Sequence, residues 1–574
     1  MDSFSSFSFL IAAALPLALM GWRLDRRHRA GESGALPLDL LWMGVLSVAG
    51  ILQATHIHHQ INPAWYPVGQ DWREFVVLAL DIQSGGAFHP VPQRYPFYAW
   101  LAVQLANLTQ VPVHIALMQV NLVAGGLLPA AVYRLGTAFT SRPVAITGGW
   151  IALHVPTVAA TLGPPTDYLF HGLIHVLALS EGMRALRSSR IAAWLSFGVC
   201  LALLMAANMK SLVFLLGAAP LVSTALLWRA RASPRAAALA GLLWLAPMVT
   251  VWHVYSSTPR WTTEAYTLEY NVYRTQVVVA RAHGRTAPLP TDLGWHPTDE
   301  KRRGYWGVGR PGAWSNLDKV LQFLTRGPQH NLDASVRFEG AILGLTRALH
   351  LPYAALLLLG VAGCLVPLRR RRTDTHLGPI LATGWLVGIT GAQFMGLMAT
   401  HFIPRYALVL LIPAPLLILS AVSLGSRRFG WVLPPVVVAI TLLGHSVPGM
   451  KAIHSAPEVQ EAALNPHVDF WAVRDGLQPG DQVTDLTGNR ILQDLWGTSP
   501  AQIWSVYDEE TEVTLQPQPN GRRVLVMPGA LNMGDPVRQW VGAEDGRLRQ
   551  LRNFVFEDTQ PGKPLQLRLT GLGL

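Results

Sequence analysis

The stretch Gly69–Ala99, GQDWREFVVLALDIQSGGAFHPVPQRYPFYA, decides how the rest of the chain is read. It places an acidic helix start, a Gly85-Gly86 break and a proline-aromatic segment directly after an apolar span. The spacing predicts a helix from Asp71 to about Gln83. Helical periodicity puts Asp71, Glu74 and Asp81 along one stripe with Leu78 between them, and Trp72, Phe75, Val76 and Ala79 on another face. Such a helix lies at a membrane surface with its carboxylates toward an aqueous cleft. Asp71 sits in the first turn, where the helix dipole favours its ionised form. Gly85-Gly86 ends the helix, and Pro90, Pro92 and Pro96 keep the next turn extended. An ordinary interfacial helix with a solvated acidic side fits the same pattern.

Composition sets the context of that stretch. Of 574 residues, 51% are hydrophobic and 14% charged, as in a polytopic membrane protein with some soluble mass. The net charge of +11 invites a nucleic-acid reading. The basic residues, however, fall in short clusters between apolar spans, as the positive-inside rule predicts, so no nucleic acid is expected as a partner. Cys200 and Cys364 both lie inside apolar spans, and they imply neither a disulfide framework nor a cysteine zinc spacing. The first span, about Phe4 to Trp22, has Arg23, Arg26, Arg27 and Arg29 behind it rather than ahead, the reverse of a cleavable signal peptide.

Charge also fixes the expected topology. A second span, about Pro37 to Thr55, returns to the outer face and places Asp71 outside. His56, His58 and His59 come directly after it, either as interfacial residues or as metal ligands. Tyr95 to Thr109 is short and proline-bounded and reads as a juxtamembrane helix. The next helix, about His114 to Ala138, then runs inward and brings Arg134 and Arg142 to the cytoplasm. Further spans are expected at roughly 144–162, 168–186, 191–208, 211–228, 236–255, 351–368, 377–399, 406–425 and 430–448. This makes an α-helical polytopic protein of about twelve transmembrane helices, with both termini outside. Residues 1–450 form the transmembrane domain, with large outer loops at about 56–113 and 256–350. The second loop, rich in Trp, Tyr, Arg and Gly, fits a substrate lid and an interfacial aromatic belt equally. Residues 451–574 read as a soluble extracytoplasmic α/β or α+β domain. Its strands are expected at 481–486, 502–506, 523–527 and 565–569, and its helices at 466–476 and 536–541.

Other groups carry candidate chemistry. His401-Phe402-Ile403-Pro404-Arg405-Tyr406 stands at the outer mouth of a late span. A planar guanidinium there can hold a phosphate bidentately, and an anchor arginine reaching for the interface fits as well. Lys210, at the outer end of its span, has the same two readings. Asp167, in the turn Gly163-Pro164-Pro165-Thr166-Asp167, is either an N-cap or a second acidic group for metal or donor. Glu181 and Arg184, at helical spacing, read as a structural pair.

These residues resemble the GT-C class of membrane glycosyltransferases, the superfamily of the protein O-mannosyltransferases and aminoarabinose transferases. Its first outer loop commonly reads Asp, an aromatic four residues on, a small residue eight on, Gly and an aromatic, then a Pro-Pro- or Tyr-Pro-aromatic segment. Here Asp71, Phe75, Ala79, Gly85, Phe88 and Tyr95-Pro96-Phe97 occur in that order. Asp71-Trp72 is closer to the oligosaccharyltransferase form, while the second proline is missing, so the resemblance selects no subfamily. The Arg405-Tyr406 pair before Pro413 and Pro415 is similar to the class's donor-phosphate arginine, and the setting of Lys210 to its Gly-Leu-Ala-Lys segment. The resemblance implies a polyprenyl-phosphate-linked sugar donor, a lipid, glycan or protein acceptor, and inverting transfer at the outer face of the cell inner membrane. Asp71 is then the general base. Arg405, Tyr406, Lys210, Glu74, Tyr95, Asp167 and His401 bind substrates, with a divalent metal ion left open and no nucleotide required. An O-antigen ligase or polymerase using Arg310, His330 and Arg337 is the second enzyme reading, and a lipid or sugar transporter the third.

Reporter fusions after Arg142, Arg235 and Arg372 are expected to report cytoplasm, and fusions near Trp295 and Asp508 the outside. An outside signal at Arg142 means that the Tyr95–Thr109 helix crosses the membrane and inverts the orientation.

Overall fold

The structure is a computed structural model that describes residues 35–62, 65, 72–84, 96–138, 140–187, 191–207, 218–219, 222–227, 231, 233–257, 408–416 and 419. Toward the C-terminus it describes 472–488, 491–497, 501–507, 512–518, 520–526, 538–542, 546–552 and 555–571. The spans expected at 4–22, 211–228, 351–368, 377–399, 406–425 and 430–448, and the loop at 256–350, lie wholly or largely outside these residues.

Three described helices are long and apolar enough to cross a membrane: α1 (Ala35–Ile61) over Leu38–Ile61, α4 (Val113–Gly136) throughout, and α9 (Pro234–Ser257) over Pro234–Val251. Twenty-four residues at ~1.5 Å each span roughly 36 Å, more than the ~30 Å of a hydrocarbon core. Between them lie α2 (Trp72–Gln83), α3 (Pro96–Thr109), α5 (Arg142–Leu153), α6 (Pro156–Ala160), α7 (Tyr168–Arg187) and the apolar α8 (Ile191–Ala207). Leu38, Leu41, Val45, Val48 and Leu52 stand exposed along one face of α1, a stripe at helical spacing suited to lipid contact. The chain is a multi-pass membrane protein.

Close backbone contact fixes the α1–α4 pair. A Cβ on Gly126 would stand 2.6 Å from Ile51 Cα, and one on Gly50 would stand 2.1 Å from the Gly126 carbonyl oxygen. Small residues let membrane helices approach this far. The pair is antiparallel. At one end the Tyr133 hydroxyl donates to Asp39 (2.8 Å), and at the other the Asn62 amide reaches Met118 (3.6 Å). The Tyr133 end also holds Arg142 on Asp39 at 2.7 Å, and Glu181 receives both Arg134 and Arg184. Arg134, Arg142 and Arg184 therefore share one end of the bundle, as the charge reading requires.

Two expectations about helices need correction. The second span does not stop near Thr55 but continues to Ile61, so His56, His58 and His59 lie in its last turns and His58 is fully buried. The span expected at 144–162 is broken. α5 ends at Leu153, Val155 is extended, and Pro156 opens the five-residue α6. Proline lacks the N–H that would continue α5, and it pushes the residue before it out of helical geometry.

The C-terminal residues build a mixed sheet of order β2-β1-β4-β7-β6 and a three-stranded antiparallel sheet of order β3-β8-β5. The strands are β1 (Gln482–Gly488), β2 (Gln502–Tyr507), β3 (Glu512–Leu515), β4 (Arg523–Val526), β5 (Arg538–Gly542), β6 (Leu548–Arg552), β7 (Val555–Asp558) and β8 (Leu565–Gly571). The helix expected at 536–541 is instead strand β5, because Trp540 pairs with Leu569 and Val541 with Arg568. Cross-strand pairing outweighs the local proline signal there. The helix expected at 466–476 lies largely outside the described residues. One apolar cluster runs from the membrane helices into this region through Leu492, Leu495, Trp496, Val483 and Val524.

Asp558 staples the mixed sheet. Its carboxylate, fully buried, accepts from Arg523 Nη1 and Arg547 Nε, both at 2.8 Å. Burial alone would raise its pKa, but the hydrogen bonds from Arg547 and the Gln560 N–H, with the charges of Arg547 and Arg523, outweigh it and hold the carboxyl below its usual range. A depressed folded-state pKa stabilises fully above the unfolded value of about 3.9, and that contribution is lost as pH falls through the folded value. Asp558→Ala leaves two buried guanidinium groups without their carboxylate and is expected to cost about 3–5 kcal/mol at pH 7. The gap from wild type should shrink in thermal melts of the full chain as pH falls below about 4. A gap that stays constant with pH contradicts this account.

Candidate functional site

The site is built at the end of the bundle opposite the arginines. Helix α2 begins at Trp72, directly after Asp71, and every residue from Phe75 to Ile82 is buried. The expected half-exposed surface helix is therefore wrong for this part. Asp81 is 3% exposed rather than turned to an aqueous cleft. The reason is coverage from several sides: α3, α4 and, from the C-terminal region, α11 (Ile491–Trp496) all pack on α2.

Aromatic contacts join the starts of three helices. The ring of Phe75, one turn into α2, meets Tyr98 edge-on at 5.4 Å and 89°. Tyr98 and Phe97, at the start of α3, stand 5.8 and 5.6 Å from Phe170, at the start of α7. The Tyr98 hydroxyl donates to the Leu117 carbonyl at 2.6 Å. Asp167 precedes α7, buried, and its backbone carbonyl accepts from His171 N–H at 2.8 Å, the N-cap position. Burial, with the charge of Asp167 adding to it, holds the Tyr98 phenol well above its usual range. The charge of Asp167 is thus felt at Tyr98, and the turn that carries it leads into α7 three residues before Phe170.

The turn leading to Asp167 is held by side chains of the long helices. Asn121 Nδ2 donates to the carbonyls of Thr161 (2.7 Å) and Pro164 (3.1 Å). His58 Nδ1 donates to Leu162 O at 2.8 Å, and Asn62 Nδ2 to Gly163 O at 3.2 Å. Sequence reasoning weighs His58 only as an interfacial residue or metal ligand, and misses both asparagines. Asn121 was findable as an uncharged polar residue deep in an apolar span, where such groups need a partner.

A second contact ties the C-terminal region to the same end. Asp494 Oδ1 accepts from Val113 N–H at 2.7 Å, and Oδ2 accepts from His114 Nδ1 at 2.7 Å and His114 N–H at 3.2 Å. A carboxylate distant in sequence thus caps α4, where orphan N–H groups and the helix dipole favour negative charge. Nothing in the sequence around Asp494 announces this pairing.

Of the expected site residues, Asp167 is placed by the structure. Glu74 lies within α2, its side chain outside the described residues. Asp71, Tyr95, Lys210, His401, Arg405 and Tyr406 lie outside them. The chain resumes after Tyr406 in α10 (Leu408–Leu411), which packs on α7 and α6, and Ile412 comes against Gly172 of α7. Among the described residues, no group of three or more His, Cys, Asp or Glu side chains is arranged to hold a metal ion.

No protein-family model and no curated protein matches the chain. Solved structures do. The oligosaccharyltransferase AglB from Archaeoglobus fulgidus, in complex with an inhibitory peptide and a dolichol-phosphate, aligns at TM-score 0.44 and 15% identity, over 72% of this chain and 55% of that one. The Archaeoglobus fulgidus oligosaccharyltransferase complex with Zn and sulfate gives 0.45 and 13%, over 81% and 62%. ArnT from Cupriavidus metallidurans, bound to undecaprenyl phosphate, gives 0.37 and 13%, over 89% and 97%. The chain thus spans little more than half the length of those oligosaccharyltransferase chains.

Asp494→Ala removes the acceptor for two helix-terminal N–H groups and a buried imidazole, and is expected to cost about 1–3 kcal/mol. In thermal melts of the full chain, His114→Ala and Asp494→Ala should be clearly non-additive. Additive effects contradict a coupled contact.

Proposed function

We propose that the chain is an integral membrane glycosyltransferase that moves a sugar from a polyprenyl-phosphate-linked donor to a hydroxyl or amine acceptor at the extracytoplasmic face. The observation that carries this reading is the convergence of helix starts opposite the arginine end. The helix directly after Asp71, the Phe75–Tyr98–Phe170 contacts and the Asp167 turn meet there, and the segment just beyond Arg405-Tyr406 packs on the same α7. The positive-inside rule assigns the arginine end to the cytoplasm, and so the acidic end and the C-terminal region to the outside.

In the proposed reaction, Asp71 accepts the proton of the acceptor group as its oxygen or nitrogen attacks the anomeric carbon. The bond from that carbon to the phosphate oxygen breaks on the opposite face, with inversion. The polyprenyl phosphate departs with the bonding pair, and its growing charge is received by Arg405, aided by Lys210. Glu74, Tyr95, Tyr406 and His401 line the donor and acceptor positions, and Asp167 is the second acidic group. The described residues offer no metal-ligand group, and no step here is routed through one.

Transfer from a polyprenyl-phosphate-linked sugar, measured with the full chain in detergent, tests the reading. Asp71→Asn is expected to lower turnover by roughly 100-fold or more, the usual scale for removing a general base. Arg405→Lys should also lose activity, because a point charge does not replace a bidentate fork. Glu74→Gln is the control: equal damage there makes the stripe an electrostatic site rather than one base. Wild-type turnover in Asp71→Asn contradicts the proposal.

A further inference from the structure

Four consecutive carbonyls, those of Thr161, Leu162, Gly163 and Pro164, are held by three side chains, two on membrane-spanning helices and one, Asn62, directly after the first of them. His58, Asn62 and Asn121 are all fully buried. The clasp is specific in its atoms. A carbonyl only accepts, so the imidazole proton of His58 sits on Nδ1, and Nε2 has no partner among the described residues. Asn121 spends both amide hydrogens on carbonyls that bracket the turn. Gly163 completes the fit, since a Cβ there would stand 3.0 Å from Ile61 of α1.

The segment beyond the clasp has little freedom of its own. Pro164 and Pro165 fix two backbone angles, and Thr166 N–H donates back to the Pro164 carbonyl at 2.9 Å. The next residue is Asp167. The backbone position of Asp167, whose charge is felt at Tyr98, is therefore set from the turn, and the turn is set by side chains on and directly after α1 and on α4.

From this geometry we infer that His58, acting through Nδ1, with Asn62 and Asn121, are positioning residues that hold Asp167 in the candidate site. The inference rests on the reading of that end of the bundle as the site. It also assigns His58 a role different from metal ligation, which would use the bare Nε2. A clasp that only satisfied backbone carbonyls would affect stability; one that positions Asp167 must also be felt at Tyr98 and in the chemical step.

The test uses the full chain in detergent, labelled with 3-fluorotyrosine, with the Tyr98 fluorine resonance identified by its loss in Tyr98→Phe. Asp167→Asn is expected to shift that resonance, and a resonance that does not move overturns the inference. Asn121→Leu, similar in size but without donors, should shift it too. The conservative pair decides the atom. Asparagine places its amide nitrogen where Nδ1 stands and glutamine where Nε2 stands, so His58→Asn should keep the wild-type resonance and His58→Gln should lose it. Identical behaviour of the two overturns the inference.

None of these readouts depends on transfer. In the transfer assay, His58→Gln should lower kcat by on the order of 100-fold with little change in donor KM, the scale of a misplaced group, with His58→Asn restoring it. A shifted resonance with unchanged kcat overturns the positioning role while leaving the Asp71 reading intact. An inactive assay throughout, with the resonances behaving as stated, sinks the transfer reading and not the clasp.

Discussion

A chain that interrupts its helices inside an apolar core must find partners for the carbonyls it frees, because neither water nor lipid will supply them. Such an interruption follows α6, where the chain leaves the helix at Thr161 and turns through Gly163, Pro164 and Pro165 before α7. The solution is a set of amide and imidazole donors on α1 and α4, which are themselves locked together where Gly50 and Gly126 let the backbones touch. The turn could not sit at this depth without those donors. The donors could not reach it without the close crossing of the two helices. The placement of Asp167, and with it the acidic end of the bundle, descends from that pair of conditions.

The same bundle is electrically polarised. Arg134, Arg142 and Arg184, with Asp39 and Glu181, occupy one end. Asp167, the start of α2 and the cap that Asp494 places on α4 occupy the other. The C-terminal region is joined to the candidate site rather than tethered beyond it. Its helix α11 covers α2, and its apolar residues continue the membrane core. At that end Asp81 and Asp167 are kept from bulk water by packing.

Much of this is legible in the sequence, and the failures have physical causes. Apolar length marks α1, α4, α7, α8 and α9, because a long apolar run leaves a signal that is local in the sequence. The Asp71–Gln83 helix is visible from its own periodicity, within one residue of its start. Its burial is not, since the elements covering it come from far along the chain and periodicity reports only one helix at a time. The break at Pro156 escapes notice because hydropathy continues across it. β5 reads as a helix because the strand partner Leu569 lies far away in sequence. His58 misleads because its meaning depends on a carbonyl 104 residues distant. Asp494, 380 residues from His114, is the extreme case.

The central claim is that the acidic end of the bundle receives a lipid phosphate between Asp71 and Arg405. The most direct measurement is an electron-microscopy structure of the full chain with undecaprenyl phosphate. The account predicts phosphate density touching the Arg405 guanidinium, with Asp71 and Asp167 lining the same outer cavity and the Asn121 clasp intact beneath them. Phosphate bound at the Arg134–Arg142–Arg184 end, or Asp71 and Arg405 opening onto separate surfaces, would contradict it.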